Sequence, residues 1–227
     1  GRYSLARSRE YPSYGVGPHE LLLMPDLRTV VIANGGIRTH PSHDRDNLNI
    51  DSMLPSLAYI DLASGALLEQ RYLPQEWHQA SIRHMDVNAA GQIAMGMQFE
   101  GEQWRNAPLV ATHQRGEPMR LLVAPEPLQG QMKQYVGSVR FSADGSSFGA
   151  SCPRGNFITF WNVASGEMLG SVRSRDGCGL CATDTGFMFT SGIGRIAEYA
   201  TGTDAIVDLE VPEGFRLLWD NHLSQVS

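Results

Sequence analysis

Side chains capable of chemistry gather at a few short motifs in this sequence. "GVGPHE" supplies His19 and Glu20, "SIRH" supplies Arg83 and His84, "DGCGLC" supplies Cys178 and Cys181, and "WDNHL" supplies Asp220 and His222. A long polar stretch, "ANGGIRTHPSHDRDNLNIDSM", adds Asn34, Arg38 and His40, followed by the charge run Asp44, Arg45, Asp46. Imidazoles and carboxylates can ligate a metal or move protons, and a guanidinium can hold an anion through parallel N–H donors. The competing reading of each histidine is structural: hydrogen bonding to backbone groups at a junction between elements. A metal needs three or more ligands pointing inward. His78 and His113 are expected at the surface or at such junctions, and the charge run is most simply a solvated one. No nucleophile elbow, phosphate-cradling glycine loop or zinc-protease helix occurs.

Whether these motifs meet depends on the elements that carry them. Four segments share one grammar of strand, tight turn, strand, variable loop, strand, tight turn, strand. The first turns fall at "MPDLRT", "NAAGQI", "SADGSS" and "TDTGFM", the later ones at "LASGAL", "HQRGEP", "VASGEM" and "ATGTDA". The later-turn glycines, Gly65, Gly116, Gly166 and Gly202, are spaced by 51, 50 and 36 residues. Glycine between alternating apolar runs is a hairpin signal, because it accepts the positive φ of a tight turn. Four-stranded units of ~40–50 residues are the mark of β-propeller blades. Helical periodicity is nearly absent, although "LQGQMKQ" suits a single turn.

The expected fold is therefore all-β, a WD40-like propeller with four complete blades at about 15–73, 79–124, 134–174 and 177–211. Residues 1–14 and 215–227 read as strands of partial blades at both ends, with 2–10 the last strand of a preceding blade and 215–223 the first of a following one. Such a chain is expected to be a fragment of a larger, seven-bladed ring.

In a propeller the first strand of each blade lines the channel, and the loop between strands two and three lies on the face where that strand begins. From first-turn position to later-turn glycine the repeats span 38, 25, 21 and 16 residues, so only the first carries a large insertion. That insertion is the polar stretch after Ala33, and it belongs at the channel mouth. Counting back eight residues from positions 27, 91, 145 and 186 gives His19, Arg83, Gly137 and Cys178, expected to point the same way. His84, Asp220 and His222 join them, with Arg38 and His40 arriving from the insertion. His19, His84 and His222 are the metal candidates. Arg38 and Arg83 would supply fixed positive charge, and the imidazoles would bind metal or add charge as pH falls through ~6.5.

The "CGLC" spacing of a redox or zinc pair is expected to be neither. Within a strand, side chains three apart point to opposite faces, so Cys178 should face the channel and Cys181 the neighbouring blade, with no bond between them. Trp219 is expected to pack between blades.

Composition narrows the partners. A formal charge of −6 with no compensating basic stripe argues against nucleic acid or an anionic membrane surface. Apolar runs such as "ELLLM" are far short of the ~20 residues of a membrane helix, and "GRYSLARSRE" has no apolar core of a signal peptide. Three cysteines exclude a disulfide-dense scaffold.

In their order along the chain, "GVGPHEL", "ANGGIRTHP", "SIRH", "YVGSV" and "WDNHL" resemble an exported bacterial family catalogued as domain of unknown function 1513. The resemblance covers essentially the whole chain, matching the C-terminal two-thirds of family members. It implies a propeller fold, twin-arginine export to the periplasm and a genomic setting near imelysin-like iron-uptake proteins, and it brings no established reaction. A weaker resemblance joins "GVGPHELLLMPDLRTVVIAN" to the Gly-Pro-Arg-His segment of phosphogluconolactonase-like propellers. His19 and Glu20 stand where those enzymes place arginine and histidine, and Asn34 and Gly35 where they place Asn-Glu, so the catalytic pair is not reproduced.

The sequence thus points to a propeller that binds a small polar or anionic ligand, a metal–ligand complex or a partner protein, and the resemblance implies that both it and such a partner are periplasmic. The alternative is a lactonase-like or metal-assisted hydrolase using the same mouth.

Overall fold

The structure, a computed structural model, describes residues 9–39, 42, 47–210, 217–220 and 222–224. Each repeat folds into one four-stranded antiparallel sheet with strands in sequence order. The first holds β1 (Pro18–Leu23), β2 (Thr29–Asn34), β3 (Ser56–Asp61) and β4 (Leu67–Tyr72). The second holds β5 (Ala80–Val87), β6 (Gln92–Phe99), β7 (Val110–Gln114) and β8 (Arg120–Leu122). The third holds β9 (Ser138–Phe141), β10 (Ser147–Cys152), β11 (Phe157–Asn162) and β12 (Met168–Arg173). The fourth holds β13 (Gly177–Ala182), β14 (Gly186–Ser191), β15 (Ile196–Ala200) and β16 (Ala205–Asp208). "LQGQ" does make one helical turn, α1 (Leu128–Gln131). The innermost strands pack in series, β1 on β5, β5 on β9 and β9 on β13, which is the radial arrangement of a β-propeller.

Turn chemistry sets the hairpins, with departures from the glycine rule. Gly91 and Gly145 take positive φ in the first turns of the second and third sheets, whereas Leu27 does so in the first at φ 56°. In the last later turn the positive φ falls on Asp204, at 54°, and not on Gly202.

Middle strands are covered on both faces, which is why "TVVIAN" and "FITFWN" read as continuous runs. One apolar cluster runs from Val31, Leu57 and Tyr59 through Met85, Met95 and Met97 to Phe148 and Trp161. A second joins Ile158 and Phe160 to Leu180, Phe187, Phe189 and Tyr199. The boundary passes through β11: Phe157 and Trp161 belong to one cluster, Ile158 and Phe160 to the other, as alternation along a strand dictates. Each fully buried phenylalanine contributes roughly 1.5–3 kcal/mol relative to exposure.

Neighbouring sheets are also clasped at the rim, where an outer strand reaches the later turn of the next sheet. Glu69 Oε2 of β4 accepts from Gly116 N at 2.9 Å. The Arg120 guanidinium of β8 donates to Ala164 O at 2.8 Å and to Ser165 O. Residues 9–11 repeat the pattern on the first sheet, with Arg9 and Tyr11 both donating to Ala63 O.

The flanking strands expected at 2–10 and 215–223 fall partly outside the described residues. What is described there, residues 9–10, 217–220 and 222–223, carries no strand.

Candidate functional site

Three of the four inner strands carry a register shift at their mouth end. β1 shifts against β2 between Pro18 and Glu20, β5 against β6 between Ile82 and His84, and β13 against β14 between Gly177 and Leu180. A bulge inserts an extra residue and re-aims side chains beside it. The inserted residues are His19 and Arg83 in the first two sheets, and the same shift spans Cys178 in the fourth. Strict alternation would send neighbours to opposite faces. Here instead His19 with Glu20, and Arg83 with His84, all contribute to one mouth.

The three candidate histidines do come together. The His19 and His84 rings meet edge to face with centroids 5.0 Å apart, and His84 meets His222 at 5.0 Å. His19 Nδ1 is bonded to the Arg83 carbonyl at 3.0 Å. Glu20 Oε2 accepts from Met85 N at 2.6 Å and lies 3.8 Å from His84 Nδ1. The imidazoles touch as rings, and among the described residues no three His, Cys, Asp or Glu side chains form a group that could hold a metal ion.

Burial decides the protonation of this group. It lowers the pKa of His84 to about 3, helped by His19, His222, Arg83 and Arg140. His19 is lowered too, first by burial and then by the Arg83 charge. Glu20 is raised, because its burial outweighs the Met85 N–H and the Arg140 charge. The expectation that these imidazoles gain charge near pH ~6.5 is therefore corrected for His84, which stays neutral well below it, and shifted downward for His19. The Glu20–His84 contact is then one between a carboxyl group and a neutral ring, and fixed positive charge comes from Arg83 with Arg140 behind it.

Arg83 NH2 approaches Glu100 Oε1 at 4.0 Å. Glu100 Oε2 receives Asn47 Nδ2 at 2.9 Å, so the insertion does reach the mouth, through Asn47. Arg38, the residue expected to do this, has an exposed side chain and is fixed by its backbone: its N–H donates to Asn49 Oδ1 at 2.7 Å and its carbonyl accepts from Leu48 N. His40 lies outside the described residues, as do Asp44, Arg45 and Asp46. Asn34 is fully buried and donates to Ser13 O at 2.9 Å, which removes it from the mouth.

Cys178 is 3% exposed, with Sγ 3.9 Å from Ser151 Oγ, so it fills the junction with the third sheet and does not line an open wall. Burial, with smaller help from Asp176 and Asp220, pushes its thiol up to about 11. Gly137 has no side chain for a steric reason: a Cβ there would stand 2.5 Å from Cys178 Sγ. All three cysteines are free thiols. Asp220 is exposed, and Trp219 donates to Gly194 O at 3.4 Å, pinning the last segment to the fourth sheet. His113 is buried between the first two sheets, 2.6 Å from the Tyr59 hydroxyl, while His78 bonds Gln75 O in its own turn.

Sequence reasoning missed Glu100, Tyr135, Arg140 and Arg154. Tyr135 opens the "YVGSV" motif that enters β9, and Arg154 sits in the β10–β11 turn, a loop of the mouth face. The Arg154 guanidinium lies 4.5 Å from the Tyr135 ring centroid.

A family model described as "Protein of unknown function (DUF1513)" matches residues 1–226. No curated protein matches the chain. Among solved structures it is similar to U3-55K, at 12% identity and TM-score 0.62, over 88% of this chain and 54% of that one. It is equally similar in shape to a catalytically inactive virginiamycin B lyase from Staphylococcus aureus with quinupristin, at 14% identity and TM-score 0.62, over 89% of this chain and 58% of that one. The RRP9 WD40 repeats give TM-score 0.62 at 12% identity over 88% and 53%. These likenesses are of fold, and the chain spans a little over half the length of the structures it matches. Among the described residues no helix is long and apolar enough to cross a membrane.

Proposed function

This chain belongs to the DUF1513 family, and from that premise we propose that it is part of a larger propeller ring whose channel mouth binds a small polar ligand. The observation that carries the reading is the run His19–His84–His222, with Arg83 and Glu20 against it, where bulges insert His19 and Arg83 at equivalent places in two blades. Neutral imidazoles can both donate and accept, which suits a polar ligand needing orientation.

Binding is favoured over turnover on two grounds. An imidazole with pKa about 3 is a feeble general base near neutrality, and the Cys178 thiol, at about 11, is not an available nucleophile. The alternative, a lactonase-like or metal-assisted hydrolase, draws on the 3.8 Å approach of Glu20 to His84. A periplasmic location and a link to iron acquisition follow from the family resemblance and belong to the same proposal. The larger ring is supported by Arg9 and Tyr11, which hold Ala63 as Glu69 holds Gly116 and Arg120 holds Ser165.

The test is mass-spectrometric identification of small molecules that co-purify with the full-length protein, followed by calorimetric titration. His84→Ala and Arg83→Ala should each weaken the co-purified ligand by about tenfold or more. Unchanged affinity in both variants moves the site elsewhere. Turnover of lactones or activated esters by the same preparation replaces the binding reading with the hydrolase.

A further inference from the structure

We infer that the ligand of this mouth carries an oxyanion, a carboxylate or a phosphate group, seated between Arg83 and Arg154 beside Tyr135. This rests on the mouth being a binding site and names what it selects. One guanidinium lies on the Tyr135 ring, and a second, from another blade, is within electrostatic reach of it. Arg154, from the β10–β11 turn, stacks on the Tyr135 ring at 4.5 Å. Arg83, from β5, lies near enough for its charge to bear on the ionisation of the Tyr135 hydroxyl. The backbone ties Tyr135 to the same place, through its bridge to Gln98 at the end of β6.

Arg83 is the less satisfied of the pair. Its Nε is buried and has no hydrogen-bond partner, and neither has Glu100 Oε1, the carboxylate oxygen nearest to this guanidinium at 4.0 Å. That separation is beyond hydrogen-bonding range. Glu100 is meanwhile held by Asn47 through its other oxygen. A buried guanidinium N–H without an acceptor is costly to keep, and a planar oxyanion accepts from such a group in two parallel bonds. The neighbouring His19 and His84, with pKa values lowered by burial, add no charge of their own. Among the acids of the mouth, Asp176 and Asp220 bear on Cys178 in the fourth sheet and Glu20 is engaged by Met85 N beside His84, which leaves Glu100 as the carboxylate facing Arg83. The Tyr135 hydroxyl, kept protonated by burial, would donate a further bond to the anion.

The experiment titrates the full-length protein with inorganic phosphate and, separately, with citrate at constant ionic strength. Phosphate as the stronger probe assigns a phosphate group, citrate a carboxylate. Arg154→Gln, at an exposed position that leaves the core intact, should weaken the stronger probe by about tenfold, and Arg83→Gln by at least as much. Tyr135→Phe should weaken it about threefold to tenfold. Binding of neither probe, or equal binding by wild type and Arg154→Gln, overturns the inference. Loss of the probe in both arginine variants, with the co-purified ligand's affinity unmoved by His84→Ala, sustains the anion seat and sinks the wider reading of the histidine mouth. The reverse pattern retains that reading and removes the oxyanion from it.

Discussion

Gly137 stands where the first two sheets place His19 and Arg83, and its replacement tests the ring geometry directly. In Gly137→Ala the new Cβ would meet Cys178 Sγ at 2.5 Å and Pro153 Cγ at 3.1 Å. Carbon prefers its neighbours at ~3.5–4.0 Å, so one of the groups must move by about 1 Å. Neither has room: Cys178 is 3% exposed, and Pro153 begins the tight turn after β10. Overpacking of this kind costs about 1–3 kcal/mol. For a domain of 150–250 residues that is a fall of about 2–12 °C in Tm. Cys178→Ala alone removes only the sulfur and should cost ~1 kcal/mol. The double variant should then be more stable than the sum of the singles requires, by at least ~1 kcal/mol, because deleting the sulfur makes space for the added methyl. Circular dichroism melts and urea midpoints of the four proteins give the coupling. Additivity within ~0.5 kcal/mol would show that β9 and β13 do not abut at this point, and with it would fall the alignment of His19, Arg83, Gly137 and Cys178.

Three further outcomes are expected. Leu27→Gly relieves a branched residue held at φ 56° on an exposed turn and should stabilise the fold by ~0.5–1 kcal/mol; a lowered urea midpoint would contradict the backbone assignment. Tyr59→Phe leaves buried His113 Nδ1 without its 2.6 Å partner and should cost about 1–3 kcal/mol in urea unfolding, with no loss counting against the junction. His19, His84 and His113 all have pKa values lowered by burial, so the unfolded chain takes up protons near pH ~6.5 that the fold refuses. Their contribution is whole above that pH and is lost as pH drops toward the folded values, about 3 for His84, by up to ~1.4 kcal/mol per pH unit per group. Glu20 and Asp86, raised, act with the opposite sign at the acidic end. Urea midpoints should fall between about pH 7 and about pH 5, and His84→Gln should flatten the slope; an unchanged slope would mean that His84 is not buried neutral.

The blades were legible because their signals are local and repeated: glycine turns, apolar runs and constant spacing. That His19 and Arg83 sit at equivalent places was legible by counting from the turns, which fixes position along an inner strand, while the motifs at the starts of inner strands mark out His84 and His222. What could not be read were departures from period two. A bulge leaves no composition trace, and so the pairing of Glu20 with His84 across β1 and β5 was invisible. Leu27 in a glycine's conformation violates the propensity on which turn recognition rests. Arg38 looked suited to reach the mouth because it follows directly from a strand end, yet the insertion is anchored instead by Asn47 on Glu100, a contact between residues 53 apart. The proton affinities of His19 and His84 depend on burial by elements distant in sequence, which no single motif encodes.

The division of β11 between two apolar clusters has a consequence for how the molecule comes apart. Phe157 and Trp161 tie this strand to the larger cluster, while Ile158 and Phe160 alone carry its share of the smaller one. The fourth sheet can therefore detach as a separate cooperative unit, exposing Phe187, Phe189 and Tyr199, while the other three sheets keep their shared interior. In native-state hydrogen exchange the amides of Phe187 and Phe189 should open at lower free energy than those of Val31, Met95 and Ala150. Trp219 and Leu223, on either side of His222 in the chain, lie against Gly194 and Gly179 of that unit, so each such opening would loosen the segment that holds His222 on His84 while leaving Arg83 in its seat.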